Sequence, residues 1–219
     1  MIMNTTKKKL YSVLSGDLVG SSKFETEERK EILSVLKNSF KLVKSIYPEA
    51  IKSPFDVYRG DSFQGILSEP AVSLSSAIII RAYLRYKINQ KADARIAIGI
   101  GEIDYLPKHI TEGYGEAFVI SGQLLDEMKK SRYNLQIGTP SEEINKELKV
   151  EFILLDFLIS KWSAEQAEAI IKHMAGLTQE EIAKKLGISQ PAVHKRLENA
   201  GFWLIDQMCD RYEKLISKL

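Results

Sequence analysis

The chain has 219 residues and a mass of 24.8 kDa, room for one large unit or two modest ones, and its 44% hydrophobic and 27% charged content argues against a disordered chain. The 31 Lys/Arg against 29 Asp/Glu leave a formal charge of +2, shared evenly: from Lys161 onward nine basic residues face eight acidic ones, and the front part also carries +1. Bulk electrostatics thus neither demand nor exclude a polyanionic partner, while the single cysteine, Cys209, rules out an intrachain disulfide.

Lys7, Lys8 and Lys9 precede an apolar run that stops at Gly16-Asp17, too short for a signal peptide, and no segment approaches the roughly 18 apolar residues that span a bilayer. The chain is therefore expected to be cytoplasmic. The run Leu10 to Leu14 predicts a buried strand, and Gly16 to Ser22 a turn. Ser22 and Glu25 have the spacing of a capping box, opening a helix with Ile32, Leu36, Phe40, Val43 and Tyr47 on one face before Pro48. Phe55 to Tyr58 and Ser62 to Leu67 predict two strands joined by a tight turn at Arg59-Gly60-Asp61. A helix follows Pro70, then a strand at Arg95 to Ile103 whose glycines let something approach its backbone. Gly113 to Lys130 reads as a turn and helix, and Leu135 to Ile137 as a short strand.

That order is the ferredoxin-like, or palm, arrangement, assigned to residues 1–155; residues 156–219 carry no strand signal and read as helices only, giving an α+β chain. With no repeat or low-complexity linker between them, the two parts are expected to pack directly together.

Asp17 closes the first strand and Asp61 sits at the tip of the hairpin; in a palm these strands are neighbours in the sheet, so the two carboxylates can face one another. Adjacent carboxylates repel, and a divalent cation relieves this; Mg²⁺ favours one or two carboxylates completed by phosphate oxygens. The small-residue turn Val19-Gly20-Ser21-Ser22, entering a helix, offers backbone N–H groups to an anion. Taken singly, an Asp after a strand can simply cap a turn, and a Gly-Asp hairpin is common.

Ser15 to Ser21 (SGDLVGS) resembles the first metal-binding motif of class III nucleotidyl cyclases, and Arg59 to Phe63 (RGDSF) their second, which is similar to the diguanylate cyclase hairpin. Arg95 to Gly101 and Tyr114 to Phe118 resemble the later strand and turn of that domain. Joined to a helical tail, the pattern looks closest to the SatD family, which couples a cyclase-like domain to a helix-turn-helix. The resemblance implies metal–nucleotide binding, with Mg²⁺ or Mn²⁺ held by Asp17, Asp61 and the backbone of Leu18. The chain departs from the cyclase pattern where the base-selecting residue becomes Val57, and where the transition-state Asn and Arg become Val119 and Gln123. Neutral Gln cannot replace a guanidinium fork, and loss of such charge stabilisation slows reactions by roughly 10²–10³.

In the tail, Ser163 is placed to cap a helix bearing Ala167, Ile170, Ile171 and Met174 on one face. Thr178 and Glu181 form a capping box for a second helix, and Ser189 caps a third. Two helices crossing steeply need a small residue at closest approach, Ala183. They need a turn residue tolerant of left-handed geometry, Gly187, and a buried anchor, Val193. That spacing predicts a helix-turn-helix resembling region four of bacterial sigma factors, although an ordinary helical hairpin shares part of it. Its outer face would present Gln190, His194 and Lys195 to double-stranded DNA, with Arg196, Lys184 and Lys185 as candidate phosphate contacts. The amphipathic run from Phe202 to Leu219 either packs on the front part or pairs with a second copy.

The expectation is a DNA-binding regulator, homodimeric, whose front part binds or senses a nucleoside triphosphate or other nucleotide. An active cyclase or related phosphodiester-forming enzyme is the alternative. An adaptor with two inactive parts is the third reading.

Overall fold

The computed structural model describes residues 9–58, 60–88, 92–106 and 113–219. Arg59 of the hairpin motif, Lys7, Lys8 and the Pro107-Lys108-His109 stretch lie outside these. Strand β1 (Tyr11–Leu18) leads through a short 3-10 turn, Ser21–Lys23, into α1 (Thr26–Ile46). The hairpin strands β2 (Ile51–Tyr58) and β3 (Ser62–Leu67) follow, then α2 (Ser73–Ile88), β4 (Ala94–Gly101), α3 (Glu116–Met128) and β5 (Leu135–Gly138). Five helices complete the chain: α4 (Glu142–Ser160), α5 (Ala164–Met174), α6 (Gln179–Leu186), α7 (Gln190–Ala200) and α8 (Phe202–Ile216).

The fold is α+β, with one five-stranded sheet ordered β2-β3-β1-β4-β5. The first four strands pair antiparallel, and β5 joins β4 in parallel across the α3 crossover. The central strand β1 is buried almost throughout, and its backbone pairs on both sides. That double pairing corrects the expected turn at Gly16: the strand continues through Asp17 to Leu18, where Leu18 still sits opposite Ala94. Gly16 is a strand residue lacking a side chain because the Phe63 ring and the Arg95 carbonyl lie 2.4 and 2.5 Å from where a Cβ would stand. The Ser22–Glu25 capping box does not form. With β1 extended, the 3-10 turn takes up the serines and α1 starts at Thr26, with Glu25 at the N-cap making no side-chain cap bond.

Helices α1 and α2 cover one face, burying Ile32, Leu36, Phe40 and Val43 of α1 at the predicted helical spacing. On the other face α3 rests directly on the glycines of β4. A Cβ on Gly99 would lie 2.3 Å from the Ala117 carbonyl oxygen, so the approach expected at these glycines is that of α3.

The boundary placed between 155 and 156 falls inside α4. Ile144, Leu148, Phe152, Leu155 and Ile159 recur along one side of this helix and are all buried, in a core that runs continuously from the sheet to α5, α7 and α8. Fully buried Arg81 of α2 donates two bonds to Asp93, of 2.9 and 2.8 Å, and forms an ion pair with Asp156 of α4 at 2.7 Å. Arg85, one turn on, donates to the Ile159 and Ser160 carbonyls that end α4. Trp162 then ties the start of the tail to α7, its Nε1 donating to the Ala200 carbonyl at 2.9 Å. Helix α8 folds back onto its own chain, where buried Tyr212 donates to the Pro70 carbonyl at 3.0 Å. No helix among the described residues is long and apolar enough to cross a membrane.

Candidate functional site

The β1–β3 register ends with Gly16 opposite Phe63, so Asp17 and the hairpin turn that carries Asp61 lie at one end of the sheet, close enough for the Asp61 charge to act on Asp17. Asp17 is only 6% exposed, and its carboxyl is raised above the ordinary aspartate value. Burial is the main cause and the Asp61 charge a minor one, opposed by Arg95 and Lys129. Arg95 stands directly across the strand pair, its Nη1 donating to both Asp17 oxygens at 2.8 and 3.1 Å. The expected carboxylate pair is thus joined by two cations, Arg95 from β4 and Lys129 after α3. Sequence reading missed both. The one available signal for Arg95 was a charge at the start of an otherwise apolar strand.

A polar network continues along this face. Gln64 Nε2 donates to Ser15 Oγ at 2.8 Å, and Ser15 Oγ lies 3.0 Å from Ser121 Oγ of α3. All three residues are buried. Of the proposed phosphate-binding turn, Val19 already gives its N–H to the Asp93 carbonyl at 2.9 Å. A phosphate would have to displace that bond or use Gly20, Ser21 and Ser22. Leu18 buries its side chain in the core. Val57, at the base-selecting position, is partly buried in the hairpin, and its N–H bonds Asp56. Val119 and Gln123 are exposed on α3, with Gln123 lining a groove between α3, β5 and α4.

No cluster of three or more His, Cys, Asp or Glu suited to a metal occurs among the described residues, so a closed all-protein cage is not built. Two carboxylates at one sheet end fit the Mg²⁺ preference for few carboxylates completed by other oxygens, while the cations that act on Asp17 are already paired, Arg95 with Asp17 itself and Lys129 with Asp126.

In the tail, the expected caps all form. Ser163 and Gln166 make a reciprocal box, as do Thr178 and Glu181, and Ser189 accepts from the Ala192 N–H. Gly187 is left-handed at φ 65° and ψ 32°, a geometry that strains a residue with a Cβ. Ile182, Ala183, Val193 and Leu197 are buried where the two helices meet. Gln190, His194 and Lys195 are exposed, although Gln190 spends its amide on Gln179 at 2.7 Å. Arg196 is half-buried beside α5. Glu165 there is held below its ordinary value by its own backbone N–H and Ser163, with a smaller contribution from Arg196. His173, in α5, bonds Asp206 of α8 at 2.9 Å.

A model of the SatD family matches residues 11–211, nearly the whole chain and both of its parts. The chain belongs to the SatD family. No curated protein matches this SatD chain. Among solved structures it is similar to a bacterial light-regulated adenylyl cyclase, with a TM-score of 0.38 and 12% identity over 58% of this chain and 74% of that one. That likeness is too distant to transfer an activity.

Proposed function

We propose that this SatD-family chain is a DNA-binding regulator whose front part, a cyclase-like palm, takes up a metal–nucleotide. The observation that carries the reading is the junction of α6 and α7. A left-handed Gly187 lies four residues after the buried crossing residue Ala183, and α7 buries Val193 and Leu197 while exposing Gln190, His194 and Lys195. A helix held this way can lie in a major groove, with its first turns at the base edges. Gln190 suits adenine and Lys195 suits guanine or phosphate. With a net charge near zero, affinity must come from this local face rather than from a general positive field.

In the front part, Asp17 and Asp61 would hold Mg²⁺ or Mn²⁺, and Gly20, Ser21 and Ser22 would meet phosphate oxygens. The cation would neutralise phosphate charge at a sheet end where Asp17 is nearly out of solvent. Support for a link between the halves is physical. Asp93 touches the Val19 turn through its carbonyl and Arg81 through its carboxylate, and Arg81 holds α4, which leads to Trp162 and α7.

Fluorescence anisotropy on duplexes selected from a random pool tests the tail. Affinity should fall with salt, and Lys195→Ala should weaken binding while making the salt dependence shallower by about one phosphate contact. Unchanged affinity in both would leave α6 and α7 as a protein-interaction module. Titrating ATP and GTP with Mg²⁺ or Mn²⁺ into wild type and an Asp17→Ala/Asp61→Ala variant tests the front; equal heats would remove the nucleotide site. The retained acid pair favours one second reading, a phosphodiester-forming enzyme. Cyclic-nucleotide production abolished by Asp17→Ala would establish it.

A further inference from the structure

On α4 and its C-cap, the residues Glu147, Val150, Leu154, Phe157 and Lys161 follow the 3-4-3-4 spacing of a coiled-coil seam on the side away from the core. The three apolar members are 61%, 64% and 63% exposed. Beside them an apolar groove of about 620 Å³ runs between α4 and α8, lined by Leu154, Phe157, Leu158, Leu204 and Met208. At the start of α8, Leu204 and its neighbour Trp203 are exposed as well. A run of apolar side chains this continuous marks an interaction face rather than scattered surface residues.

The charges say which partner fits. Glu147 and Glu151 stand at one end of the seam and Lys161 at the other, its ammonium 4.9 Å from the centre of the Phe157 ring. One Glu151 oxygen is buried in the single chain with no hydrogen-bond partner, and Arg211 of α8, which lines the same groove, pairs with Glu147, so these two acids share a single cation. An antiparallel second copy brings its Lys161 toward these acids, and symmetry repeats the contact at the other end. A parallel copy would set acid against acid. We infer that α4 pairs antiparallel with α4 of a second copy of this chain, with Leu154 near the two-fold axis and the α4–α8 groove receiving apolar side chains from the partner. The inference depends on neither a nucleotide nor DNA.

Sedimentation equilibrium of the full chain, without ligand, tests it. Wild type should be dimeric in the micromolar range. Leu154→Asp, which removes a buried leucine twice per dimer, should raise the dissociation constant at least about a hundredfold while leaving circular dichroism unchanged. Glu151→Lys and Lys161→Glu should each weaken the dimer by roughly tenfold, and the double variant should recover it. If Leu154→Asp fails to fold, this charge swap decides the matter. A wild-type monomer at about 100 μM, a Leu154→Asp dimer of unchanged strength, or a double variant no better than the singles would each overturn the pairing.

Discussion

Arg95 and Asp17 form a cross-strand ion pair in which one guanidinium nitrogen reaches both carboxylate oxygens, at 2.8 and 3.1 Å, in a region almost closed to water. Removing one partner of a buried pair is more harmful than never having built it, because the other charge stays desolvated. Arg95→Ala is therefore expected to reduce stability by roughly 3–5 kcal/mol at neutral pH. Burial already holds the Asp17 carboxyl above its ordinary value. A group raised in the folded state contributes stability that is fully present below the unfolded pKa and is lost as pH rises through the folded one. Without Arg95 the carboxyl rises further, so the loss should be largest at pH 7 and smallest in mild acid. Urea unfolding of both proteins at several pH values checks this; a pH-independent loss would show that Asp17 is not the source.

Asp156→Asn should lower stability by about 3 kcal/mol, because Arg81 is fully buried and would keep only Asp93 as a carboxylate partner. The same change weakens the acceptor of the Asn134 N–H, bonded at 2.7 Å. Since the core passes unbroken through α4, unfolding should remain one cooperative step at a lower denaturant midpoint. Separate melting of sheet and tail, followed by tryptophan fluorescence and far-UV circular dichroism, would contradict that continuity.

Two glycine substitutions should separate conformational from steric loss. Gly187 has open space around its missing Cβ but a left-handed backbone, so Gly187→Ala should lower stability by about 1–2 kcal/mol. Gly99 meets the Ala117 carbonyl oxygen at 2.3 Å, so Gly99→Ala must push α3 off the sheet and should cause the larger loss. Thermal unfolding of the two variants gives the ranking directly; the reverse order would refute the packing of α3 on β4.

The Cys209 thiol is pushed up to about 11 by burial, with Ser75 partly opposing the shift. At pH 8 it should react with an alkylating reagent about a hundredfold more slowly in the native protein than in urea, tracking its thiolate fraction. Because this value lies above the ordinary 9.0, the thiol's contribution to stability is present below pH 9 and lost as pH rises toward 11. Rapid native labelling at pH 8 would count against this partly buried placement.

Much of this architecture is legible in residue order. The 3.6-residue spacing of Ile32, Leu36, Phe40 and Val43 specifies the buried side of α1. The capping residues Ser163, Thr178 and Ser189 mark helix starts because their hydroxyls satisfy amides only a few positions away. Where a local signal competed with long-range pairing it misled. Gly16 has the composition of a turn, yet it lies in a strand whose two neighbours come from distant parts of the chain.

By itself, then, the sequence determined the element order, the helix caps of the tail, the Gly187 turn and the placing of Asp17 and Asp61 beside strand ends. These depend on interactions within a few residues and on the order of apolar runs. Only the tertiary structure decided that Arg95 holds Asp17, that Arg81 binds Asp93 to Asp156, and that residues 155 and 156 lie within one helix of a shared core. Such pairings depend on strand register and helix packing, where a shift of one residue exchanges every facing partner.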